Sequence, residues 1–301
     1  MMERKQEELA RDIHEIVLRD FEEPQATPSY ASKELWAAVH SCGTDLWLDT
    51  GDIQTATDLW CPEFRAVTTN NSLLNTEVQE GTYDDLIQEV ADEIGDRISE
   101  GQLVLELAFV LNAYHALKLN QALGARISVE LHTDLAHDLE RTVWYGERYY
   151  RIAPDKFYIK VPLTPTGFIA ARRLSDSNVP VNFTLGFGAR QNCLAAAVAR
   201  PQFVNVFLGR LNSFVADNDL GPGDLVGEKT TASSQAVVRS IRGQIGAETR
   251  QIAASMRDAQ PRVWPDTARL SLTATGIPSN RPSDSPRARR ASAASAARST
   301  A

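Results

Sequence analysis

The stretch Phe157-Tyr158-Ile159-Lys160-Val161-Pro162 (FYIKVP) decides the fold. Apolar residues on both sides of one lysine describe a strand buried on both faces, as strands of a parallel sheet are. Upstream, Asp45 to Thr50 (DLWLDT), Ala66 to Asn70 (AVTTN) and Arg126 to Leu131 (RISVEL) have the same character. Downstream come Val181 to Phe187 (VNFTLGF), Phe203 to Gly209 (FVNVFLG), Gln251 to Met256 (QIAASM) and a weaker run, Arg269 to Ala274 (RLSLTA). Between most of these lie segments of helical character: Tyr83 to Ile98, Gln102 to Leu123, Thr166 to Ser175, Arg190 to Ala199 and Ala232 to Ala247. Strands alternating with helices imply a parallel sheet, and eight strands in about 230 residues is what a closed (β/α)8 TIM barrel requires. The sequence carries neither a GxGxxG nor a GxxxxGK[ST] turn for a nucleotide, which argues against an open doubly wound sheet.

Residues 45–275 are therefore expected to form the α/β barrel. Residues 1–44 open with a helical pattern (Ile13, Ile16, Val17, Phe21) and are expected to form an N-terminal helical extension packed over the barrel bottom. Beyond Arg257, Pro261 and Pro265 disfavour a regular helix, so the C-terminus reads as irregular. Residues 276–301 are rich in Arg, Ala, Ser and Pro and are expected to be disordered.

With a net charge of −8, the chain is not suited to nonspecific binding of nucleic acid or an anionic membrane. The most apolar long window, Leu103 to Leu119, is interrupted by Glu106, Asn112, His115 and Lys118, so it reads as a buried helix and the protein as cytoplasmic. Cys42, Cys61 and Cys193 form no CxxC pair and are expected to be reduced and mostly buried. The five histidines include no HExxH, and His132 and His137 miss the i, i+4 spacing of two ligands on one helical face, so no metal site is expected.

In a barrel the C-terminal ends of the strands line the active site. The polar residues there are Asp49, Asn70, Glu130, Lys160, Asn182, Thr184, Asn205 and Ser255. A lysine at such an end has a bland reading, snorkelling to solvent. Its chemical reading is desolvation of the ammonium, which favours the neutral amine that attacks a carbonyl. Two carboxylates and an amine at one mouth favour the second reading, since they suit carbonyl addition, dehydration and C–C cleavage.

Seven motifs, in order, resemble the strand-end motifs of the transaldolase family. They are LDTGDI (Leu48 to Ile53), VTTNNSLL (Val67 to Leu74), SVEL (Ser128 to Leu131), IKVP (Ile159 to Pro162), VNFTL (Val181 to Leu185), FLGRL (Phe207 to Leu211) and AASMR (Ala253 to Arg257). The second has Asn71 where the family usually has proline, and Asn205 stands where serine is usual.

The resemblance implies that Lys160 forms a Schiff base with a ketose and that Asp49 is the acid/base for cleavage. It further implies that Glu130 and Thr184 manage a catalytic water. Asn70 and Asn182 would hold the dihydroxyacetone hydroxyls, while Arg210, Arg257 and Ser255 would bind phosphate. Asn205 and Phe207 would line the substrate pocket. The implied activity is dihydroxyacetone transfer from sedoheptulose 7-phosphate or fructose 6-phosphate to an aldose phosphate, in the pentose phosphate pathway, with no cofactor and with a homodimer as a possible assembly. Fructose 6-phosphate aldolases of the same superfamily tend to carry tyrosine and glutamine where Phe207 and Glu130 stand here. A catalytically silent sugar-phosphate-binding barrel is the alternative of another class.

Overall fold

The computed structural model describes residues 2–23, 28–245, 248–256 and the backbone of 270–275. Seven strands form a curled parallel sheet in chain order: β1 (Asp45–Asp49), β2 (Phe64–Thr68), β3 (Arg126–Glu130), β4 (Phe157–Pro162), β5 (Val181–Thr184), β6 (Phe203–Phe207) and β7 (Arg250–Ala254). Helices alternate with them, giving an α/β fold of the TIM-barrel type. Two helices precede the sheet, α1 (Met2–Leu18) and α2 (Glu34–Ser41). Then come α3 (Ile53–Leu59), α4 (Asn71–Gln79), α5 (Asp84–Ile94), α6 (Glu100–Leu123), α7 (Leu139–Ile152), α8 (Pro165–Asp176), α9 (Ala189–Val198), α10 (Leu208–Asp217) and α11 (Val226–Ile245).

Helix starts follow local chemistry. Asp52, three residues beyond the end of β1, accepts from the amides of Gln54 and Thr55 and so caps α3. Asp138 caps α7, and Thr164 caps α8 with Pro165 in its first turn. A side-chain oxygen at this position satisfies amides that have no acceptor inside the helix.

Successive strand residues point to opposite sides of the sheet. Outward, Leu48, Val67, Ile127, Val129, Ile159, Val161, Val181, Phe183 and Val204 are buried with the helices in the main core. Inward, Trp47, Phe203 and Ile252 form a separate buried cluster against which Tyr158 packs. Trp47 lies 4.7 Å from Phe203 and 5.2 Å from Tyr158, centroid to centroid, and Tyr158 is 5.2 Å from Phe203. Three rings from β1, β4 and β6 thus meet across the interior and fix the curl.

The expectation for the first helix needs correction. α1 packs beside α5, α6 and α7 in the outer layer, not over the barrel bottom. Its buried stripe, Leu9, Ile13, Ile16 and Val17, requires an apolar partner. The N-terminal ends of the strands offer charge instead: Asp45 pairs with Arg250, and His40 and Arg65 stand 3.7 and 3.9 Å from it. The element beside β1 is α2, whose Trp36 packs on Phe64.

The cysteines also differ from expectation. All three are free, but Cys42 is exposed and Cys193 half-buried, leaving Cys61 as the buried one. No helix among the described residues is long and apolar enough to cross a membrane. The 276–301 tail lies outside the described residues, as does the Pro261–Pro265 stretch.

Candidate functional site

Strand alternation puts Asp49, Glu130, Lys160, Asn182 and Asn205 on the inner face, each two residues beyond Trp47, Ser128, Tyr158, Pro180 and Phe203 respectively. Backbone register aligns Glu130 with Lys160 and Lys160 with Asn182, so β3, β4 and β5 present a carboxylate, an amine and an amide in a row. The aromatic layer lies on the N-terminal side of this row. Above that floor the interior is polar.

Lys160 is 7% exposed, which is unusual for a lysine and demands partners. Its Nζ donates to the Thr69 carbonyl at 3.0 Å and stands 3.7 Å from Glu130 Oε1. Glu130 Oε2 accepts the backbone N–H of Asn71 at 3.1 Å. Asp49 is half-buried, and burial pushes its pKa above the ordinary carboxylate value. The positive charge of Lys160 opposes that rise, the negative charge of Glu130 adds to it, and Arg210 opposes it more weakly. All four groups therefore share one electrostatic site.

The amides form a network. Asn182 Nδ2 donates to Ser128 Oγ at 2.9 Å, and Asn205 Nδ2 donates to Asn182 Oδ1 at 3.1 Å and to the Phe183 carbonyl. Asn205 thus occupies the interior by binding its neighbour on β5. Gly186 passes so close to β6 that a Cβ there would lie 2.0 Å from the Asn205 carbonyl oxygen, so only glycine fits. On either side of β6, Leu185 follows β5 at φ 62° and Ser255 follows β7 at φ 60°. Left-handed backbone at non-glycine residues is strained, and such positions cluster at functional sites.

Not every expected residue joins the cluster in the same way. Asn70 ends no strand; its Oδ1 caps α4 by accepting from Ser72 and Leu73, both at 3.0 Å. Thr184 is buried at the end of β5. Phe207 ends β6, and Arg210 lies on the first turn of α10, exposed, with its guanidinium carbon 5.1 Å from the Phe207 ring. Ser255 is half-buried just beyond β7, whereas Arg257 lies outside the described residues. The structure adds Thr69, Asn71 and Ser128. Of these Ser128 was legible, since it sits two residues before Glu130 on the same strand face.

Residues 46–262 match the model of a family described as transaldolase/fructose-6-phosphate aldolase. The chain belongs to that family. A transaldolase of Trichormus variabilis is 32% identical over 174 residues, covering 54% of this chain and 51% of the relative. One of Synechocystis is 34% identical over 175 residues, covering 54% and 43%. One of Xanthomonas euvesicatoria is 29% identical over 219 residues, covering 68% and 66%. The chain spans about half the length of the first of these relatives.

Proposed function

We propose that this protein is a transaldolase that moves a dihydroxyacetone unit between sugar phosphates through a Schiff base on Lys160. The observation that carries the reading is the nearly buried Lys160 amine, 3.0 Å from the Thr69 carbonyl and 3.7 Å from Glu130. In this scheme Nζ adds to the ketose carbonyl, and Glu130, through a water held with Thr184, moves the protons that let hydroxide leave as water. Asp49 takes the proton of the C4 hydroxyl as the C3–C4 bond breaks. The aldose phosphate departs and the remaining electrons stay as an enamine. An acceptor aldehyde then adds to the enamine, Asp49 returns its proton, and water releases the new ketose.

Asn70 and Asn182 would hold the donor hydroxyls. Asn205, Phe207, Arg210, Ser255 and Arg257 would line the pocket and its phosphate end. The donors are sedoheptulose 7-phosphate or fructose 6-phosphate, which places the reaction in the pentose phosphate pathway, and the scheme needs no metal or organic cofactor. Phe207 and Glu130 favour transfer over free aldol cleavage. An eight-stranded closed barrel is part of the same proposal. Its support is the backbone of Leu270–Thr275, which pairs in parallel with β7 (Gln251 with Leu270) and with β1 (Asp45 with Ser271).

The amide contact between Asn205 and Asn182 favours a second reading, a sugar-phosphate-binding barrel without turnover. Incubation with fructose 6-phosphate and borohydride, followed by mass spectrometry, separates the two. A dihydroxyacetone adduct on Lys160, absent in Lys160→Met, supports the transferase. An unmodified, folded wild type refutes it. A requirement for added aldose phosphate during turnover distinguishes transfer from aldol cleavage.

A further inference from the structure

Asn71 is the first residue of α4, a position whose N–H has no acceptor inside a helix and where proline is favoured for that reason. In this protein that N–H is in use: it donates to Glu130 Oε2 at 3.1 Å, while Oε1 of the same carboxylate stands 3.7 Å from the Lys160 amine. One oxygen is tethered to the N-terminus of α4, where the aligned peptide dipoles favour negative charge, and the other faces the amine.

The Asn71 side chain fixes the donor. Its Nδ2 donates to the Leu131 carbonyl at 3.2 Å, and its Oδ1 accepts from Asn112 Nδ2 at 3.2 Å. Asn112 is buried in α6 and also donates to the Ala108 carbonyl at 2.9 Å. The first residue of α4 is thereby bound to the end of β3 and to the body of α6.

We infer that Asn71 is a positioning residue for Glu130, acting through its backbone amide, with Asn112 as the support that holds the amide in place. The inference rests on the proposed role of Glu130. Its consequence is directional: with Oε2 tied to α4, the carboxylate meets the amine and its water through Oε1.

Two measurements test it. In the intact 15N-labelled protein, the Asn71 amide proton should resonate downfield, and Glu130→Ala should abolish that shift. An Asn71 shift indifferent to Glu130→Ala overturns the tether, and this readout does not depend on turnover. The second compares Asn71→Pro, which removes the N–H, with Asn71→Ala, which keeps it. Asn70 is already extended (φ −154°, ψ 165°), the conformation a residue before proline requires, so α4 should survive the first substitution.

Borohydride trapping with fructose 6-phosphate should slow by roughly 10- to 100-fold in Asn71→Pro, the weight of a hydrogen bond to a charged group, with ketose affinity changed by less than about threefold. Asn71→Ala should slow by about threefold. Trapping in Asn71→Pro at the wild-type rate, or an equal loss in both variants, overturns the assignment. If wild type itself traps no adduct, the catalytic reading of Glu130 fails, and the amide shift still decides whether the tether exists.

Discussion

Replacing Arg148 with alanine should destabilise the fold severely, because it strands a buried carboxylate. Glu106 on α6 and Arg148 on α7 have side chains only 2% and 4% exposed, and their Nη2 and Oε2 atoms stand 2.8 Å apart. Arg148 Nη1 also donates to Oε1 at 3.0 Å, and the same oxygen receives Tyr145 Oη and Gln102 Nε2, each at 2.8 Å. Oε2 has no hydrogen bond in good alignment, so its compensation is the charge of the guanidinium. That guanidinium also lies 4.2 Å from the Phe109 ring centroid, a packing contact that alanine cannot replace. Removing one partner of a buried pair costs about 3–5 kcal/mol. For a fold of this size each kcal/mol lowers Tm by roughly 2–4 °C, giving a fall of roughly 6–20 °C. Urea and thermal unfolding followed by circular dichroism would measure it. A paired change, Glu106→Leu with Arg148→Met, should recover most of the loss, because neither charge then remains buried. A loss below about 1 kcal/mol in Arg148→Ala would refute the reasoning, since that is the range of an exposed pair. So would a double variant no more stable than the single one.

Burial lowers the pKa of His115 from 6.5 to about 4, so the unfolded chain binds the proton first. Stability should fall as pH drops through that window, by up to about 3 kcal/mol, and His115→Gln should flatten the acid side of a urea-midpoint series. Asp49 shifts the other way: its carboxyl is raised above 3.8, so the native state holds its proton longer and stability falls as pH rises through the shifted range. Asp49→Asn should therefore be more stable than wild type at pH 7, converge with it below 3.8, and lose at least about a hundredfold in transfer rate. Gly186→Ala drives a Cβ to within 2.0 Å of the Asn205 carbonyl, so it should lower Tm and disturb the Asn182–Asn205 amide signals, whereas Gly188→Ala, with its nearest contact at 3.4 Å, should change neither.

β4 begins and ends where FYIKVP does, because burial on both faces leaves a strand little freedom of extent. The ends of β5 and β6 were not legible. VNFTLGF reads as a strand through Phe187, but Leu185 turns left-handed so that Gly186 can pass against β6. FVNVFLG stops at Phe207 because α10 begins at Leu208 without a side-chain cap. α3 is only seven residues long and buries a single side chain, Ala56, too little for a period to show; α7 does carry a helical stripe, Tyr145, Tyr149 and Ile152, but it is interrupted by the buried Arg148 and by Gly146.

At the site, Lys160 and Glu130 could be found from strand ends alone. The partners that hold them could not, because they follow from register. Glu130 meets the Asn71 N–H across 59 residues and Lys160 meets Thr69 across 91, separations that no local pattern encodes. Asn70 illustrates the opposite error, since a residue read as the end of a strand is the cap of the next helix.

The three rings of Trp47, Tyr158 and Phe203 do more than hold the sheet in its curve. They pack together beneath Lys160, so in the closed barrel proposed above the interior would open at the C-terminal ends of the strands. Under the proposed chemistry the released aldose must leave by the doorway through which the acceptor arrives. Two molecules that share one entrance take turns. The architecture would thus impose ping-pong order on the two half-reactions, and the lifetime of the enamine between visits would be set by how well that one doorway is kept closed to water.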